Sequence, residues 1–215
     1  MTGPTRILLV DDHAIVREGY RRLLAEESSI HVVGEASDAS QACQSARVLR
    51  PDVVVMDIAL PRISGIEATR RMLKDQPQLR VLMFSMYDDA IYASRALEAG
   101  ALGYISKASA PEVLVRAIYA VARGECYVSP DVAANMARSA AQPGKSELDT
   151  LTPREFEVLR LLVQGETVRS IGGKLGLSEK TVANHQSAIR EKLGARNSAQ
   201  LARLAARIGL SAVPP

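Results

Sequence analysis

Short apolar runs alternate with longer amphipathic segments over the first ~125 residues of the chain. Between the runs, small or apolar positions recur at helical spacing, as Ile15, Gly19 and Leu23 do after the first run. This alternation predicts a βα repeat, that is, an α/β doubly wound parallel sheet covered by helices on both faces. We expect five strands in the order 2-1-3-4-5, at residues 7–10, 30–33, 53–56, 81–84 and 102–105.

The alternation stops near residue 125, and the chain then becomes rich in small and polar residues. We expect a linker over 126–147, where QPGKS at 142–146 combines turn-forming and flexible residues after a short helix at 132–139. The predicted organisation is therefore a first domain over 1–125 and, after the linker, a second domain over 148–215.

The second domain is predicted to be entirely helical. Thr152, Pro153 and Glu155 match the N-cap, N1 and N3 positions of a capping box, which marks the start of a helix. Glycines at 165, 176 and 194 mark the breaks between helices. We expect an all-α four-helix domain, with helices at about residues 153–164, 167–175, 179–193 and 198–208.

The composition suits packed cores, since 47% of the 215 residues are hydrophobic. No apolar run approaches the ~18 residues that a membrane span requires, and no signal-peptide core precedes the polar break at Asp11. We therefore expect a soluble, cytoplasmic protein with no membrane partner. Cys43 and Cys126 lack the spacing of a zinc site, and partly buried apolar positions are the preferred interpretation for both.

The positive charge is concentrated near the C-terminus. Residues 1–144 contain 16 Lys and Arg against 17 Asp and Glu, whereas residues 145–215 contain 11 against 7. Within 167–210 the count is eight basic against two acidic residues. This excess indicates a polyanion partner, although on charge alone a solvated basic face without a partner is equally good.

Acidic residues follow two of the predicted strands. Asp11 and Asp12 come after the first strand and Asp57 after the third. In a sheet of order 2-1-3-4-5 these strands are neighbours, and ligands bind in the crevice beyond their carboxyl ends. Converging carboxylates repel one another unless they are protonated or bridged by a cation, and hard oxygen ligands suit Mg²⁺.

A hydroxyl and an amine follow the next two strands, as Ser85 and Lys107. An aspartate, a divalent cation, a lysine and a hydroxyl form a site that can accept a phosphoryl group on a carboxylate. Asp57 is the expected nucleophile, because the Asp11 and Asp12 pair is better placed to hold the metal. The chain contains no GxxxxGK[ST] phosphate loop, which argues against a nucleotide hydrolase of that class.

The stretches LLVDDH, VVVMDIALPRISG, FSMYDD and GYISKAS resemble the receiver domain of bacterial two-component response regulators over residues 6–123. The resemblance implies that a sensor histidine kinase phosphorylates Asp57 and that Ser85 and Lys107 contact the phosphoryl oxygens. It also implies Mg²⁺ ligands at Asp11, Asp12, Asp57 and the backbone carbonyl of Ala59.

Tyr104 matches the aromatic switch position of receivers. A half-buried strand aromatic without any switching role is an equally good interpretation of this residue.

The C-terminal region carries the pattern of a helix-turn-helix, with the turn at Gly176-Leu177-Ser178. A helical hairpin used only for protein contact is the alternative, which the basic excess and Lys180-Thr181 at the helix start disfavour. The segment resembles the LuxR-type DNA-binding domain over about residues 148–210, and the whole chain resembles a NarL/FixJ-type response regulator.

The resemblance places DNA contacts on the second helix of the motif. Base edges are expected to meet Ala183, Asn184 and Ser187. Contacts with DNA phosphates are expected at Lys180, Thr181, Arg190 and Lys192. His185 faces either a phosphate or the interior of the domain, and the packed orientation is at least as good.

Two glycines inside the predicted scaffold helix, Gly172 and Gly173, cost about 1 kcal/mol each relative to Ala. Close packing against the recognition helix or a loosened domain would account for them. The last predicted helix carries an apolar side that is our candidate dimer contact, formed by Leu201, Leu204 and Ile208.

These features together predict a transcription regulator in which phosphorylation of Asp57 alters dimerisation and promoter binding. The expected partners are a sensor histidine kinase, double-stranded promoter DNA, a second copy of the chain and RNA polymerase. The alternative is a regulator that acts by protein contact or as a phosphate sink without DNA. Self-phosphorylation and slow hydrolysis are the only chemistry the site offers, so we expect no enzyme.

Overall fold

The computed structural model describes residues 3–88, 90–140, 150–197, 200–201 and 203–204. The chain divides into two compact units, Met1–Ser139 and Ala140–Pro215.

The first unit is a parallel sheet surrounded by helices. Its strands pair in the order β2-β1-β3-β4-β5-β6, which confirms the predicted order of the first five. The strands are β1 (Thr5–Val10), β2 (Ile30–Ala36), β3 (Val53–Met56), β4 (Arg80–Ser85), β5 (Gly103–Ser106) and β6 (Tyr127–Val128). The helices are α1 (Ala14–Ala25), α2 (Ala39–Leu49), α3 (Gly65–Asp75), α4 (Ala90–Glu98), α5 (Pro111–Ala122) and α6 (Pro130–Ala140).

The central position of β3 explains its composition. This strand pairs with β1 on one side and β4 on the other, and all four of its residues are buried. A parallel strand covered by helices on both faces has no solvent side, so every position is apolar. The strand is thereby fixed in place at the point where Asp57 follows it.

The described sheet contains six strands, where the apolar runs predicted five. The added strand β6 pairs in parallel with β5, and its Tyr127 donates a backbone hydrogen bond to the Leu102 carbonyl at 3.0 Å. The first part of the predicted linker thus forms a strand and the helix α6, within which the expected helix at 132–139 lies. The proposed linker and domain boundaries stay predictions, and residues 141–147 lie outside the described residues.

The second unit contains α7 (Pro153–Val163), α8 (Val168–Leu175) and α9 (Glu179–Lys192). Side-chain caps begin all three helices, with Thr152, Thr167 and Ser178 at the N-cap positions. Gly176 ends α8 in the left-handed region at φ 62°. The predicted fourth helix over 198–208 lies mostly outside the described residues, and the described residues 200–201 and 203–204 are helical.

The reciprocal hydrogen bonds of the capping box confirm the predicted start of α7. The Glu155 backbone N–H donates to Thr152 Oγ1 at 3.2 Å, and the Thr152 N–H donates to Glu155 Oε2 at 2.6 Å. In the parts of the chain that the structure describes, no helix is both long and apolar enough to cross a membrane.

Candidate functional site

Acidic side chains converge at the carboxyl ends of β1 and β3. Asp11, Asp12, His13 and Asp57 each offer a ligand atom, and these atoms lie within 4.8 Å of one another. Parallel neighbours β1 and β3 end at the same edge of the sheet, and the Asp57 N–H donates to the Val10 carbonyl at 2.8 Å. The structure therefore brings together the three aspartates that the sequence indicated.

Lys107, which follows β5, places its ammonium between two of these carboxylates. Its Nζ lies 2.9 Å from Asp57 Oδ2 and also donates to Asp11 Oδ2. All three side chains are at least nine-tenths buried. The cluster contains one lysine ammonium and three aspartate carboxyl groups, so a cation can neutralise the excess negative charge of its ionised carboxylates.

One oxygen of Asp57 lacks a hydrogen-bond partner within the described part of the chain. Its Oδ1 is buried and accepts no hydrogen bond from the described residues. A buried carboxylate oxygen without a donor is costly, and a metal ion or a covalent bond to phosphorus would satisfy it. The donor set of clustered carboxylates with one unfilled oxygen fits a hard divalent cation such as Mg²⁺.

The buried environment shifts the pKa values of the two central groups. Burial raises the pKa of the Asp57 carboxyl; the Lys107 ammonium acts to lower this pKa, and the negative Asp11 acts to raise it further. Burial alone would lower the pKa of Lys107, but the carboxylates of Asp57 and Asp11 outweigh it and the pKa is raised. The lysine therefore stays charged, while ionisation of Asp57 is disfavoured by its surroundings.

The loop after Asp57 is folded back on itself. The Ile58 carbonyl accepts hydrogen bonds from the N–H groups of Leu60 and Gly65, both at 2.9 Å. Ala59 follows Asp57 by two positions within this loop, and Ser64 at the end of the loop is the N-cap of α3. The predicted role of the Ala59 carbonyl as a metal ligand stays a prediction.

Ser85 and Tyr104 lie inside the sheet region near the site. Ser85 is fully buried; its Oγ accepts from the Tyr87 N–H at 3.3 Å, and its carbonyl accepts from the Lys107 N–H at 2.7 Å. Tyr104 is also fully buried, rather than half-buried, and its Oη donates to the Tyr87 carbonyl at 2.6 Å. Tyr87 thus links the predicted switch residue to the predicted phosphoryl contact.

His13 is a member of the cluster that the sequence reasoning missed. Its Nδ1 lies 2.7 Å from Asp12 Oδ1 and 3.3 Å from Asp11 Oδ1. Its position immediately after Asp11 and Asp12 could have indicated its place in the cluster, because consecutive residues at a strand end lie at the same crevice.

Helix α9 presents an exposed polar face. Ala183, Asn184 and Ser187 are exposed, as is Lys180 one turn earlier, while Thr181 is partly buried. Residues three or four positions apart share one face of a helix, so the predicted base contacts form one surface. Their roles toward DNA remain predictions.

The inner face of α9 holds different residues. Val182 and Ile189 are fully buried, and His185 is half-buried, in agreement with its packed orientation. Burial lowers the pKa of His185; the nearby Glu155 acts to raise it. Lys192 donates to both carboxylate oxygens of Glu155, at 2.9 and 2.6 Å, and so has a partner within the domain.

Three residues were predicted to form a dimer contact. Leu201 is buried and Leu204 is partly buried, whereas Ile208 lies outside the described residues. Burial of Leu201 inside the described unit leaves its assignment to a dimer surface a prediction. Arg190, a predicted phosphate contact, is partly buried.

Two protein families match the two units. Residues 7–119 match the response regulator receiver domain, and residues 149–205 match the bacterial regulatory proteins of the luxR family. These spans contain the acid cluster and the exposed face of α9, respectively.

Characterised relatives match nearly the whole chain. The response regulator GacA of Pseudomonas aeruginosa is 39% identical over 207 residues, which cover 95% of this chain and 97% of GacA. The response regulator UvrY of Escherichia coli is 37% identical over 206 residues, with coverage of 95% and 94%.

Solved structures agree with this assignment. A LuxR-family two-component response regulator from Aurantimonas is 46% identical with a TM-score of 0.63, covering 65% of this chain and all of that chain. RcsB from Salmonella enterica, bound to promoter rprA in the presence of a phosphomimetic, is 27% identical with a TM-score of 0.66 over 94% of this chain and 98% of RcsB. The chain therefore belongs to the NarL/FixJ-type response regulators, DNA-binding transcription regulators controlled by phosphorylation and not enzymes, which join a receiver domain to a LuxR-type helix-turn-helix domain.

Proposed function

We propose that Asp57 is the phosphoacceptor of this regulator and takes its phosphoryl group from the histidine of a sensor kinase. The observation that supports this role most directly is the unpartnered Oδ1 of Asp57, buried beside Asp11, Asp12 and Lys107. In the transfer, a carboxylate oxygen of Asp57 bonds to phosphorus while the bond from phosphorus to the kinase histidine breaks.

Mg²⁺ is the proposed cofactor. Asp11, Asp12, Asp57 and the backbone carbonyl of Ala59 would hold it, because the carboxylates already lie together with excess negative charge. When bound, Mg²⁺ supplies positive charge that offsets the charge on the phosphoryl oxygens.

Lys107 and Ser85 are the proposed contacts to the phosphoryl group. The Lys107 ammonium already touches Asp57, so it is placed to pair with a phosphoryl oxygen once the carboxylate is phosphorylated to an acyl phosphate. The Ser85 hydroxyl can donate to another oxygen, since it accepts a hydrogen bond from Tyr87 but keeps its own proton available.

Tyr104 is the proposed switch residue. Movement of Ser85 toward a phosphoryl group would displace the Tyr87 N–H, and the carbonyl of the same Tyr87 holds the Tyr104 hydroxyl. The two hydrogen bonds therefore couple the phosphorylation site to β5 through one residue.

DNA recognition is proposed for the exposed face of α9. Ala183, Asn184 and Ser187 would meet base edges, with Asn184 able to pair bidentately with adenine. Backbone phosphates would be met by Lys180, Thr181 and Arg190. The RcsB complex with promoter DNA supports this assignment by similarity.

Dimerisation on phosphorylation or DNA binding is proposed to place two α9 helices on adjacent half-sites about one helical turn apart. Leu201, Leu204 and Ile208 remain the proposed contact. We further propose that the protein acts in the cytoplasm, where its promoter DNA and RNA polymerase are found. The proposed domain boundaries are 1–125 for the receiver, 126–147 for the linker and 148–215 for the DNA-binding domain.

A DNA-binding titration with and without acetyl phosphate tests the phosphoacceptor. Wild-type protein should bind a promoter duplex more tightly after treatment, while Asp57→Ala should show no response. Asp131→Ala, which removes an exposed carboxylate on α6, is the matched control and should respond like wild type. Equal affinity of wild type and Asp57→Ala under both conditions would refute the proposal.

Salt dependence separates DNA recognition from a role by protein contact alone. A protein whose basic residues neutralise phosphates loses affinity steeply between low and moderate salt, because bound counterions are released. Flat salt dependence would support the alternative that the regulator works without DNA.

A further inference from the structure

Lys192 lies on the same stripe of α9 as Ile189 and His185, away from the proposed reading face, and 34% of its side chain is exposed. It follows Ile189 by three residues and His185 by seven, and these spacings keep all three on one helical stripe. Ile189 is fully buried and His185 is half-buried. The resemblance to LuxR-type domains predicts a phosphate contact for Lys192.

The ammonium of Lys192 is hydrogen-bonded to both oxygens of one carboxylate. Nζ donates to Glu155 Oε1 at 2.9 Å and to Oε2 at 2.6 Å, and Glu155 is only 6% exposed. The same Oε2 accepts the backbone N–H of Thr152 at the N-cap of α7. Glu155 therefore joins the C-terminal end of α9 to the N-terminus of α7.

The helix dipoles of α7 and α9 both favour this ion pair. A carboxylate in the first turn of α7 and an ammonium in the last turn of α9 each complement a helix dipole. Burial acts to raise the pKa of Glu155, but its hydrogen bonds from Lys192 and Thr152 outweigh this and the pKa is lowered. Loss of Lys192 would leave a buried carboxylate whose hydrogen-bond donors among the described residues come from Thr152 alone.

We infer that Glu155 and Lys192 are positioning residues for DNA recognition. Their ion pair fixes the position of α9 against α7, and Lys192 does not contact a DNA phosphate. The inference rests on the proposed function of α9 as the recognition helix. Lys180 provides the contrast, because it lies on the outer side of α9 and, unlike Lys192, forms no ion pair with any described residue.

Three variants of the full chain separate the two roles. Lys192→Met keeps the aliphatic stem but removes the charge, Glu155→Gln keeps an acceptor for the Thr152 cap, and Lys180→Met removes an outer charge. Affinity for a short duplex, selected by wild-type protein from a random pool, is measured across a series of salt concentrations.

Each variant has a distinct expected result. Lys192→Met and Glu155→Gln should each weaken binding by roughly tenfold at every salt concentration, with the slope of log affinity against log salt unchanged. The double variant should lose no more than either single one. Lys180→Met should reduce the magnitude of the slope by about one.

The sign of the change in DNA affinity caused by Glu155→Gln distinguishes a positioning role of Lys192 from a phosphate contact. If Lys192 were a phosphate contact, removing its carboxylate partner would free the lysine and strengthen binding, and Lys192→Met would flatten the slope. Either result overturns the inference. Lys192→Arg preserves the ion pair and should bind as wild type does; loss of affinity in this variant with an unchanged melting temperature also overturns it.

Unfolding is checked by thermal melting of each variant. If Lys192→Met fails to fold, Glu155→Gln and Lys192→Arg carry the test alone. Absence of salt-dependent binding by the wild-type protein would instead refute the proposed function itself, and so is distinguishable from failure of the positioning role.

Discussion

The Cα atom of Gly65 packs against the backbone carbonyl of Asp57, so closely that a Cβ at residue 65 would come 1.9 Å from that oxygen. Gly65 begins α3, and its N–H donates to the Ile58 carbonyl at 2.9 Å. The loop after Asp57, the proposed phosphoacceptor, can adopt this conformation only because residue 65 has no side chain.

Gly65→Ala should therefore displace Asp57 and destabilise the first unit. The overlap involves backbone on both sides, so we expect a loss of about 1–3 kcal/mol in the free energy of unfolding. Phosphorylation by acetyl phosphate should slow as well. Urea unfolding and phosphorylation kinetics measure the two effects.

Gly19→Ala is the matched control for this substitution. Gly19 lies in α1, and a methyl group added there would meet no other part of the chain within 4 Å. Alanine at this position should stabilise the protein by about 1 kcal/mol through helix propensity. A Gly65→Ala protein as stable and as readily phosphorylated as wild type would contradict the packing argument.

Tyr104→Phe should weaken the proposed coupling between Asp57, the proposed phosphorylation site, and β5. It removes the hydrogen bond from Tyr104 Oη to the Tyr87 carbonyl, and we expect a loss of about 1 kcal/mol in stability. The increase in DNA affinity caused by acetyl phosphate should also shrink. Fluorescence anisotropy with labelled duplex measures this response.

Tyr119→Phe controls for loss of a hydroxyl from the same unit. The Tyr119 side chain lies on α5 and forms no hydrogen bond with any described residue. Its removal should leave both stability and the phosphodonor response unchanged. A Tyr104→Phe protein that responds fully to acetyl phosphate would show that this hydrogen bond carries no signal.

The strand order and the acid cluster were both predictable from the sequence, for a common reason. Buried parallel strands are uniformly apolar, and the residue that ends such a strand is placed by topology, as Asp11 and Asp57 show. Strand β6 was not predictable in this way. It has two half-buried residues, and its pairing with β5 uses backbone groups that leave no hydrophobic pattern.

The sequence was less informative about individual charges. Lys192 and Lys180 are both basic residues of one helix, yet only the packing shows that Lys192 pairs with Glu155. The pairing depends on an approach of α7 and α9 across 37 positions of sequence, which local spacing cannot reveal.

The two consecutive glycines of α8 should respond in opposite ways to alanine. A Cβ at Gly172 would lie 2.8 Å from the Leu177 carbonyl, whereas a Cβ at Gly173 would have no neighbour within 4 Å. Close packing against the turn that leads into α9 thus explains why residue 172 is a glycine. Gly172→Ala should lower the melting temperature of the second unit. Gly173→Ala should raise it, because the higher helix propensity of alanine adds about 1 kcal/mol to the free energy of unfolding.

This pair is its own matched control, because both changes add one methyl group to the same helix. Calorimetry on the full chain, together with DNA affinity, measures the outcome. Equal effects of the two substitutions would contradict the close approach of Gly172 to the turn.

The buried carboxyl of Asp57 should make stability depend on pH. Burial raises the pKa of this carboxyl in the folded protein above the unfolded value of about 3.9, so the folded state binds the proton more tightly than the unfolded state does. The stabilisation that this proton provides is complete below the unfolded pKa and is lost as pH rises through the folded pKa. Asp57→Asn keeps a neutral side chain at all pH values. We expect this variant to be more stable than wild type at neutral pH, with the difference disappearing in acid.

Urea unfolding of wild type and Asp57→Asn over a pH series measures this difference. Glu98→Gln, which neutralises an exposed carboxylate of α4, is the control and should show no comparable convergence. A variant less stable than wild type at neutral pH would mean that the Lys107 ion pair outweighs the cost of burial.

Mg²⁺ should stabilise the first unit through the same carboxylates. A ligand that binds only the folded state adds about 2.7 kcal/mol at one hundred times its dissociation constant, so the melting temperature should rise with Mg²⁺ concentration. Asp12→Ala and Asp57→Asn should each reduce this rise, because each removes a carboxylate from the cluster. Glu98→Gln should keep it in full. If Mg²⁺ raised the melting temperature of Asp12→Ala and Asp57→Asn as much as that of wild type, the ion would be bound elsewhere, and the unfilled Oδ1 of Asp57 would need another partner.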